Sequence, residues 1–249
     1  MGLLDFLFDK EKSQARQIQK LRKKLTNIWM QSPDRNDAAS QLFQIGSPDA
    51  LHALMDRFKV QTQNTTYDIE EKTYICDLLI GAGPDIANVV KDNVRNEPAI
   101  INWQMRVLED VLPSQEMASF IQELLGTMDV DYERDPQKKE QLLLRSQTYT
   151  DFDDLQREVA RFTIDDNEDI RFQSVSAMVK RDESWARDAL RANIRLEDSG
   201  RIADMVCQRF VEKAWPAMED VQDETLREEI TEALPAKFML TKDAMIRRK

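Results

Sequence analysis

Histidine and cysteine are almost absent from this chain, which holds one histidine and two cysteines in 249 residues. Metal centres and histidine-based acid–base catalysis need several such side chains at defined spacing, and His52 stands alone. Cys76 and Cys207 lie far apart, each inside an apolar helical pattern. This arrangement predicts two buried thiols in a reducing compartment rather than a disulfide framework or a metal cluster. The sequence therefore predicts no catalytic residue, no metal site and no cofactor, and a protein that is not an enzyme.

Long apolar runs are also missing from the sequence. No stretch approaches the ~20 apolar residues that a membrane-spanning helix needs. The apolar residues 1–8 are shorter than the apolar core of a secretory signal, and charged residues follow them without a cleavage site. We therefore expect a cytoplasmic protein.

Glycine and strand-like runs are scarce, with 6 glycines and no long stretch of valine, isoleucine and threonine. Leucine, alanine, glutamate, lysine, arginine and glutamine are abundant, and these are good helix formers. The hydrophobic content of 41% is sufficient for a core. This composition predicts an all-α fold.

The charge of the chain is uneven. The formal net charge is −11, yet residues 1–30 hold seven basic side chains against three acidic ones. The remainder of the chain is therefore strongly acidic and repels phosphate backbones, so we expect no nucleic-acid partner.

A short pattern occurs twice near the start of the chain. Residues 42–54 and 78–90 each contain an apolar helix end, a glycine-containing break, Pro-Asp and a second apolar helix start. Pro48 aligns with Pro84 at an offset of 36 residues. A helical pair that recurs at such a period is typical of stacked α-helical repeats, which usually present a binding surface.

Helical periodicity and breaks predict a basic helix and then five helical pairs. The basic helix is expected at 10–30, and the pairs at 35–45 and 48–59, 67–80 and 84–94, 98–111 and 114–126, 136–148 and 152–163, and 168–180 and 183–193. Single helices follow at 198–213 and 223–233. The C-terminal Arg247-Arg248-Lys249 is expected to be a frayed, solvated end.

The fifth pair has the most specific pattern. Asp169, Ile170 and Arg171 follow an acidic turn, and small and apolar residues continue at helical spacing. This pattern resembles the HEAT repeat, in its shorter bacterial form also known from phycobilisome lyases, over roughly residues 34–213. The resemblance implies that Asp169 and Arg171 lock successive repeats together.

The fold expected from this resemblance is a right-handed α-solenoid of about five to six HEAT-like helical pairs with N- and C-terminal capping helices. The corresponding segments are an arm at 1–30, a repeat array at 31–215, and a capping helix and tail at 216–249. Within the arm, Leu3–Phe8 could cover the edge of the first repeat, which is the favoured reading, or dock on a membrane or an acidic protein. The four tryptophans are expected to be buried between repeats, whereas an exposed one would be a contact for a partner.

A non-enzymatic scaffold or adaptor that binds a protein partner of unknown identity on the concave solenoid face is the favoured functional hypothesis. The second helices of the pairs usually line that face. Two alternatives stay open: a bilin lyase or chaperone-type, ligand-handling solenoid, which rests on the resemblance, and a membrane-associated adaptor that uses residues 1–24, which is not favoured. The candidate partner-binding residues are Arg57, Lys59, Lys91, Arg95, Lys20, Lys23 and Lys24.

Overall fold

The computed structural model describes residues 3–97, 101–132 and 136–249, with side chains from residue 11 onward. These residues form thirteen α-helices, three short 3-10 helices and one β-hairpin. The mostly helical structure confirms the all-α prediction. The helix start predicted at Pro98 and the side chains of Leu3–Phe8 lie outside the described residues. Across the described ranges, no helix has both the length and the apolar composition required to span a bilayer.

The helices follow the predicted order, and most begin or end within a few residues of the predicted positions. They are α1 Leu3–Leu25, α2 Ser32–Ile45, α3 Pro48–Met55, α4 Thr65–Gly81, α5 Ala87–Asn96, α6 Asn102–Val111, α7 Ser114–Gly126, α8 Gln137–Ser146, α9 Asp153–Arg161, α10 Glu168–Met178, α11 Ser184–Leu196, α12 Gly200–Lys213 and α13 Glu224–Ala233. The 3-10 helices are Asp56–Lys59, Gly83–Ile86 and Phe162–Ile164.

The break between α2 and α3 shows why the repeated sequence pattern ends one helix and starts another. Gly46 has a φ of +64°, and its N–H donates to the Leu42 carbonyl, which closes α2. The Ser47 hydroxyl then accepts from the Ala50 N–H at 3.3 Å, and Pro48 occupies the first turn of α3. A left-handed glycine, an N-cap and a helix-starting proline therefore follow one another directly.

The chain divides into two compact units, Met1–Met117 and Ala118–Lys249, and α7 contains the boundary. The division into 1–30, 31–215 and 216–249 stays a prediction. In the first unit α1 packs on α2 and α3, with Ile18, Leu21 and Leu25 buried.

Inside each unit, helices of the same position in successive pairs contact one another. In the first unit α2 contacts α4, α4 contacts α6, and α3 contacts α5. In the second unit α8 contacts α10 and α10 contacts α12, while α9 contacts α11 and α11 contacts α13. The second helices of neighbouring pairs therefore lie side by side within each unit.

An ionic network is buried where α2, the 3-10 helix after α3, and α4 meet. Arg35 donates two hydrogen bonds to the Glu71 carboxylate, at 2.8 and 2.6 Å. Arg57 donates to Glu71 at 3.0 Å and to Asp68 at 2.7 Å, and Lys72 pairs with Asp68 at 2.7 Å. All five side chains are buried. Each of the three cations pairs with at least one of the two carboxylates, as charges removed from water require.

A comparable contact joins α10 to the end of α11 in the second unit. Arg171 donates to both Glu197 oxygens at 3.1 and 3.0 Å and to Asp198 at 2.7 Å. Asn193 donates to Glu197 at 2.7 Å from one helical turn earlier. Asp169 instead accepts from Arg201 at the surface, at 3.1 Å.

The C-terminal segment contains a hairpin that the sequence pattern did not predict. Strands β1, Phe238–Leu240, and β2, Ile246–Arg248, pair antiparallel. Phe238 and Ile246 are buried, and the strands pack against α13 and α12, respectively. The expectation of a frayed end at residues 247–249 is wrong for Arg247 and Arg248, because both lie in β2.

Candidate functional site

The structure removes Arg57 from the candidate partner contacts. Its side chain is fully buried, and its guanidinium is taken up by Glu71, Asp68 and the Val60 carbonyl at 2.7 Å. A partner cannot reach a guanidinium in this position. The prediction that Arg57 lines a binding surface is therefore wrong, because its carboxylate partners on α4 draw it into the interior.

Lys59, which ends the 3-10 helix after α3, remains at the surface. Its ammonium lies 2.7 Å from Glu97 and 3.3 Å from Asp56, and 44% of its side chain is exposed. Burial lowers the pKa of Lys59, but the hydrogen bonds and charges of Glu97 and Asp56 outweigh this effect, so the pKa is raised. Lys59 therefore stays cationic and half-exposed.

The remaining predicted residues lie on two helices of the first unit. On α5, Lys91 is mostly covered and lies 4.0 Å from Glu116, and Arg95 pairs with Asp92 at 2.9 Å. On α1, Lys20 and Lys23 are exposed, and Lys24 pairs with Asp37 at 3.0 Å. These cations therefore lie on two different helices, α1 and α5, and the described contacts do not bring them together in one site.

A polar cleft of about 430 Å³ lies between α1, α3 and α5. Its lining includes His52, whose Nδ1 lies 3.3 Å from the Asn93 amide nitrogen. Both cations of the cleft are paired with Asp56, since Arg22 lies 2.5 Å and Lys59 3.3 Å from its carboxylate, whereas Asp49, which also lines the cleft, is exposed. The cleft brings the single histidine beside an amide and shows no triad-like arrangement.

Both thiols are buried and protonated. Burial is the main cause that raises the pKa of Cys76 and of Cys207 to about 12. A thiol with such a pKa is a poor nucleophile at neutral pH. Within the described ranges, the His, Cys, Asp and Glu side chains form no group of three or more able to hold a metal ion.

The second unit contains a shallow groove between two second helices, α9 and α11. Its volume is about 370 Å³. One wall comes from α9 and the following 3-10 helix, and the other from α11. The lining residues are Arg157, Ala160, Arg161, Thr163, Ile164, Trp185, Ala189 and Ala192. We call this site the α9–α11 groove.

Residue spacing explains why this groove is open. Trp185, Ala189 and Ala192 lie four and three residues apart, so they form one stripe along α11. The two alanines are too small to fill the space between the helices, and both are partly exposed. Ile164 is 37% exposed at the opposite wall. The groove therefore offers an apolar floor that another helix or side chain could fill.

Two guanidinium groups frame the indole of Trp185. The Arg157 and Arg181 guanidinium carbons each lie 4.9 Å from the ring centroid, within the range of cation–π attraction. Arg181 is neutralised by Asp153 and by Glu183, the latter at 2.6 Å. Arg157 is exposed and forms no ion pair with any residue that the structure describes. Among the described residues, the charge of Arg157 therefore has no counter-ion, and it lies at the edge of an apolar groove.

The predicted partner contacts were cations of the second helices and of the basic arm, and none of them lines this groove. Of the tryptophans, Trp103 stacks on Phe58 at 6.1 Å and Trp215 meets Phe210 edge-on at 5.7 Å. Trp185 lies half-buried in the groove. Trp29 is 77% exposed, so the expectation of burial is wrong for it. The small residues that follow Trp185 at helical spacing were the available signal for the groove.

Comparison with known proteins gave no match, whether to protein-family models, to curated proteins or to solved structures. The candidate site therefore stands on its geometry and chemistry.

Proposed function

We propose that the protein is a non-enzymatic adaptor that binds a protein partner in the α9–α11 groove. The observation that carries this proposal is an apolar, alanine-floored groove with a half-buried tryptophan and, at its edge, an exposed arginine that forms no ion pair with the described residues. Aromatic and arginine side chains in such settings dominate binding energy at protein interfaces. A partner helix with apolar side chains and a carboxylate near Arg157 would match both properties of the groove.

The proposed architecture behind this function is a right-handed α-solenoid of about five to six HEAT-like pairs. The side-by-side second helices within each unit support it, as does the Asp169–Arg201 contact between α10 and α12. In such an array the second helices form a continuous binding face. The cytoplasmic location likewise stays a prediction.

Two variants test the groove without disturbing the core. Arg157→Glu reverses the exposed charge, and Ala189→Arg fills the floor with a long side chain. Affinity purification from native cell extract, followed by mass spectrometry, should recover a stoichiometric protein with the wild type and lose it with both variants. The thermal midpoint of each variant should stay within a few degrees of the wild type.

The matched control is Arg106→Glu, which reverses another exposed arginine that forms no ion pair among the described residues. It should retain the partner. Equal recovery by all variants would exclude the groove as the binding site. A bound pigment or lipid in place of a protein would exclude the adaptor function.

A further inference from the structure

Two exposed aromatic side chains line one cleft of the first unit, remote in sequence from the α9–α11 groove. Trp29 is 77% exposed and Tyr67 is 51% exposed. The cleft between the α1–α2 loop and the start of α4 has a volume of about 550 Å³. Trp29 and Tyr67 both contribute to its lining. We call this site the Trp29–Tyr67 cleft.

The wall that carries Trp29 is held by a buried charge. The Arg35 guanidinium donates to the Met30 carbonyl and, at 3.4 Å, to the Asn27 carbonyl. The Asn27 side chain accepts from the Trp29 N–H at 3.0 Å. Arg35 is itself fixed by its two hydrogen bonds to Glu71. The exposed Trp29 therefore lies on a loop whose backbone carbonyls are held by the buried Arg35 guanidinium.

The opposite wall is anchored by the same ionic network. Asp68 accepts from the Thr62 N–H at 3.0 Å, and Arg57 donates to the Val60 carbonyl at 2.7 Å. Asn64 caps α4 by accepting from the Tyr67 N–H at 3.1 Å. Both aromatic residues are thus attached to segments that the network holds in place. Such preorganisation lowers the entropic cost of binding.

The polar groups of the cleft are mostly neutral amides. Gln31, Asn36, Gln63 and Asn64 contribute to the lining. The charge of Arg35 is neutralised by Glu71, whereas Glu70 at the rim is exposed and forms no ion pair within the described part of the chain. Among the described residues that line the cleft, the charged side chain without an ion-pair partner is therefore that of Glu70, and its negative charge disfavours phosphates and acidic peptides.

We propose that the Trp29–Tyr67 cleft binds an extended, proline-rich peptide segment that carries an arginine or lysine. Exposed aromatic rings in a groove accept proline rings, as in other aromatic-lined grooves that recognise polyproline helices. A polyproline helix has no internal hydrogen bonds, so its carbonyls are free to accept from the cleft amides. The basic side chain would pair with Glu70.

An amphipathic α-helix fits this cleft less well than a polyproline segment. Its backbone carbonyls are already bonded within the helix, so the four amides would have no acceptor from the ligand backbone. The amide lining therefore predicts a different kind of ligand for this cleft than for the α9–α11 groove, which has an apolar floor.

The test is a titration of the full chain with a synthetic peptide, Arg-Pro-Leu-Pro-Pro-Leu-Pro-Pro, and with its reversed sequence. Isothermal titration calorimetry and the indole ¹H–¹⁵N signal of Trp29 report binding. We expect one of the two peptides to bind with a dissociation constant between about 10 μM and 1 mM. Trp29→Ala should weaken binding by about tenfold or more, and Trp29→Phe by less. Glu70→Gln should weaken binding, and its effect should shrink as salt rises.

Matched controls separate specific from general binding. Tyr132→Ala removes an aromatic side chain that is 79% exposed in the second unit, and it should leave binding unchanged. A peptide with glycine in place of proline should bind at least about tenfold more weakly.

Absence of binding by both proline-rich peptides at about 1 mM would overturn the proposal. Equal binding of the glycine peptide, or undiminished binding by a Trp29→Ala variant with a wild-type circular dichroism spectrum, would overturn it too.

Discussion

Charged residues in this chain divide between the surface and the interior in a way that their sequence positions do not show. Arg57 and Lys59 are two residues apart, yet the first is fully buried and the second is 44% exposed. The difference arises because Glu71 and Asp68 on α4 lie within hydrogen-bond distance of Arg57. A helical pattern indicates on which face of its helix a residue lies. It does not show that a carboxylate of another helix lies opposite that face.

Glu71 is the residue on which the buried network most depends, because it accepts from both Arg35 and Arg57. Glu71→Gln removes a charge that compensates these guanidinium groups. We expect it to lower the free energy of unfolding by about 3–5 kcal/mol at pH 7. Urea unfolding followed by circular dichroism measures this loss. Glu70→Gln, one position away and exposed, should change stability by less than about 0.5 kcal/mol.

The stability difference between wild type and Glu71→Gln should also depend on pH. Burial raises the pKa of Glu71, but hydrogen bonds from Arg35, Ser32 and Arg57 outweigh it and hold the pKa below 4.5. A carboxyl group with a depressed pKa stabilises the fold above its unfolded pKa, and this contribution is lost as pH falls through the folded pKa. The difference should therefore be largest at neutral pH and narrow below pH 4.5. A constant difference from pH 7 to pH 3 would contradict this role of the ionised carboxylate.

Helix ends were the best-predicted elements, because their signals are local. The pattern at residues 46–49 combines a left-handed glycine, a serine N-cap and a proline, and each acts within one helical turn. The end of α12 is a contrast, since Ala214 takes the left-handed conformation with a φ of +51°. Alanine gives no sequence signal for that turn.

Two glycines give a matched test of this local control. Gly46→Ala places a side chain at a φ of +64° and should destabilise the protein by about 1–2 kcal/mol. The added Cβ would meet only the Phe43 carbonyl, at an ordinary 3.6 Å, so the loss reports backbone strain alone. Gly81→Ala, at the end of α4 with no atom within 4 Å of the new Cβ, should stabilise by about 0.5–1 kcal/mol. Chemical denaturation measures both, and equal effects of the same sign would refute the argument.

At the scale of the whole molecule, the division into two units and the C-terminal hairpin are the features that sequence reading did not find. The hairpin strands have three residues each, too short for an alternating pattern to stand out. What stabilises the hairpin is burial of Phe238 and Ile246, with the strands packed on α13 and α12. A two-stranded hairpin is marginal alone and needs such a surface.

Substitutions in β1 test whether the hairpin is part of the folded second unit. Phe238→Ala removes a side chain that is 2% exposed and should lower the free energy of unfolding by about 3–5 kcal/mol. Met239→Ala, at a neighbouring position that is 43% exposed, should change it by less than about 0.5 kcal/mol. Thermal unfolding distinguishes the two. A wild-type melting temperature for Phe238→Ala would show that the hairpin does not contribute to the stability of the unit.

The sequence by itself determined the all-α class, the order of the helices and most of their ends, because helix propensity, periodicity and capping act over a few neighbouring residues. Only the tertiary structure decided that Arg57 is buried, that Trp29 is exposed, and that Trp185 stands over an alanine-floored groove. These outcomes depend on which residues of distant segments meet: Glu71 with Arg35 and Arg57, and α9 with α11. Such contacts are determined by the packing of whole helices. The free energy of that packing is a sum over many contacts between distant residues, and a local sequence pattern does not contain them.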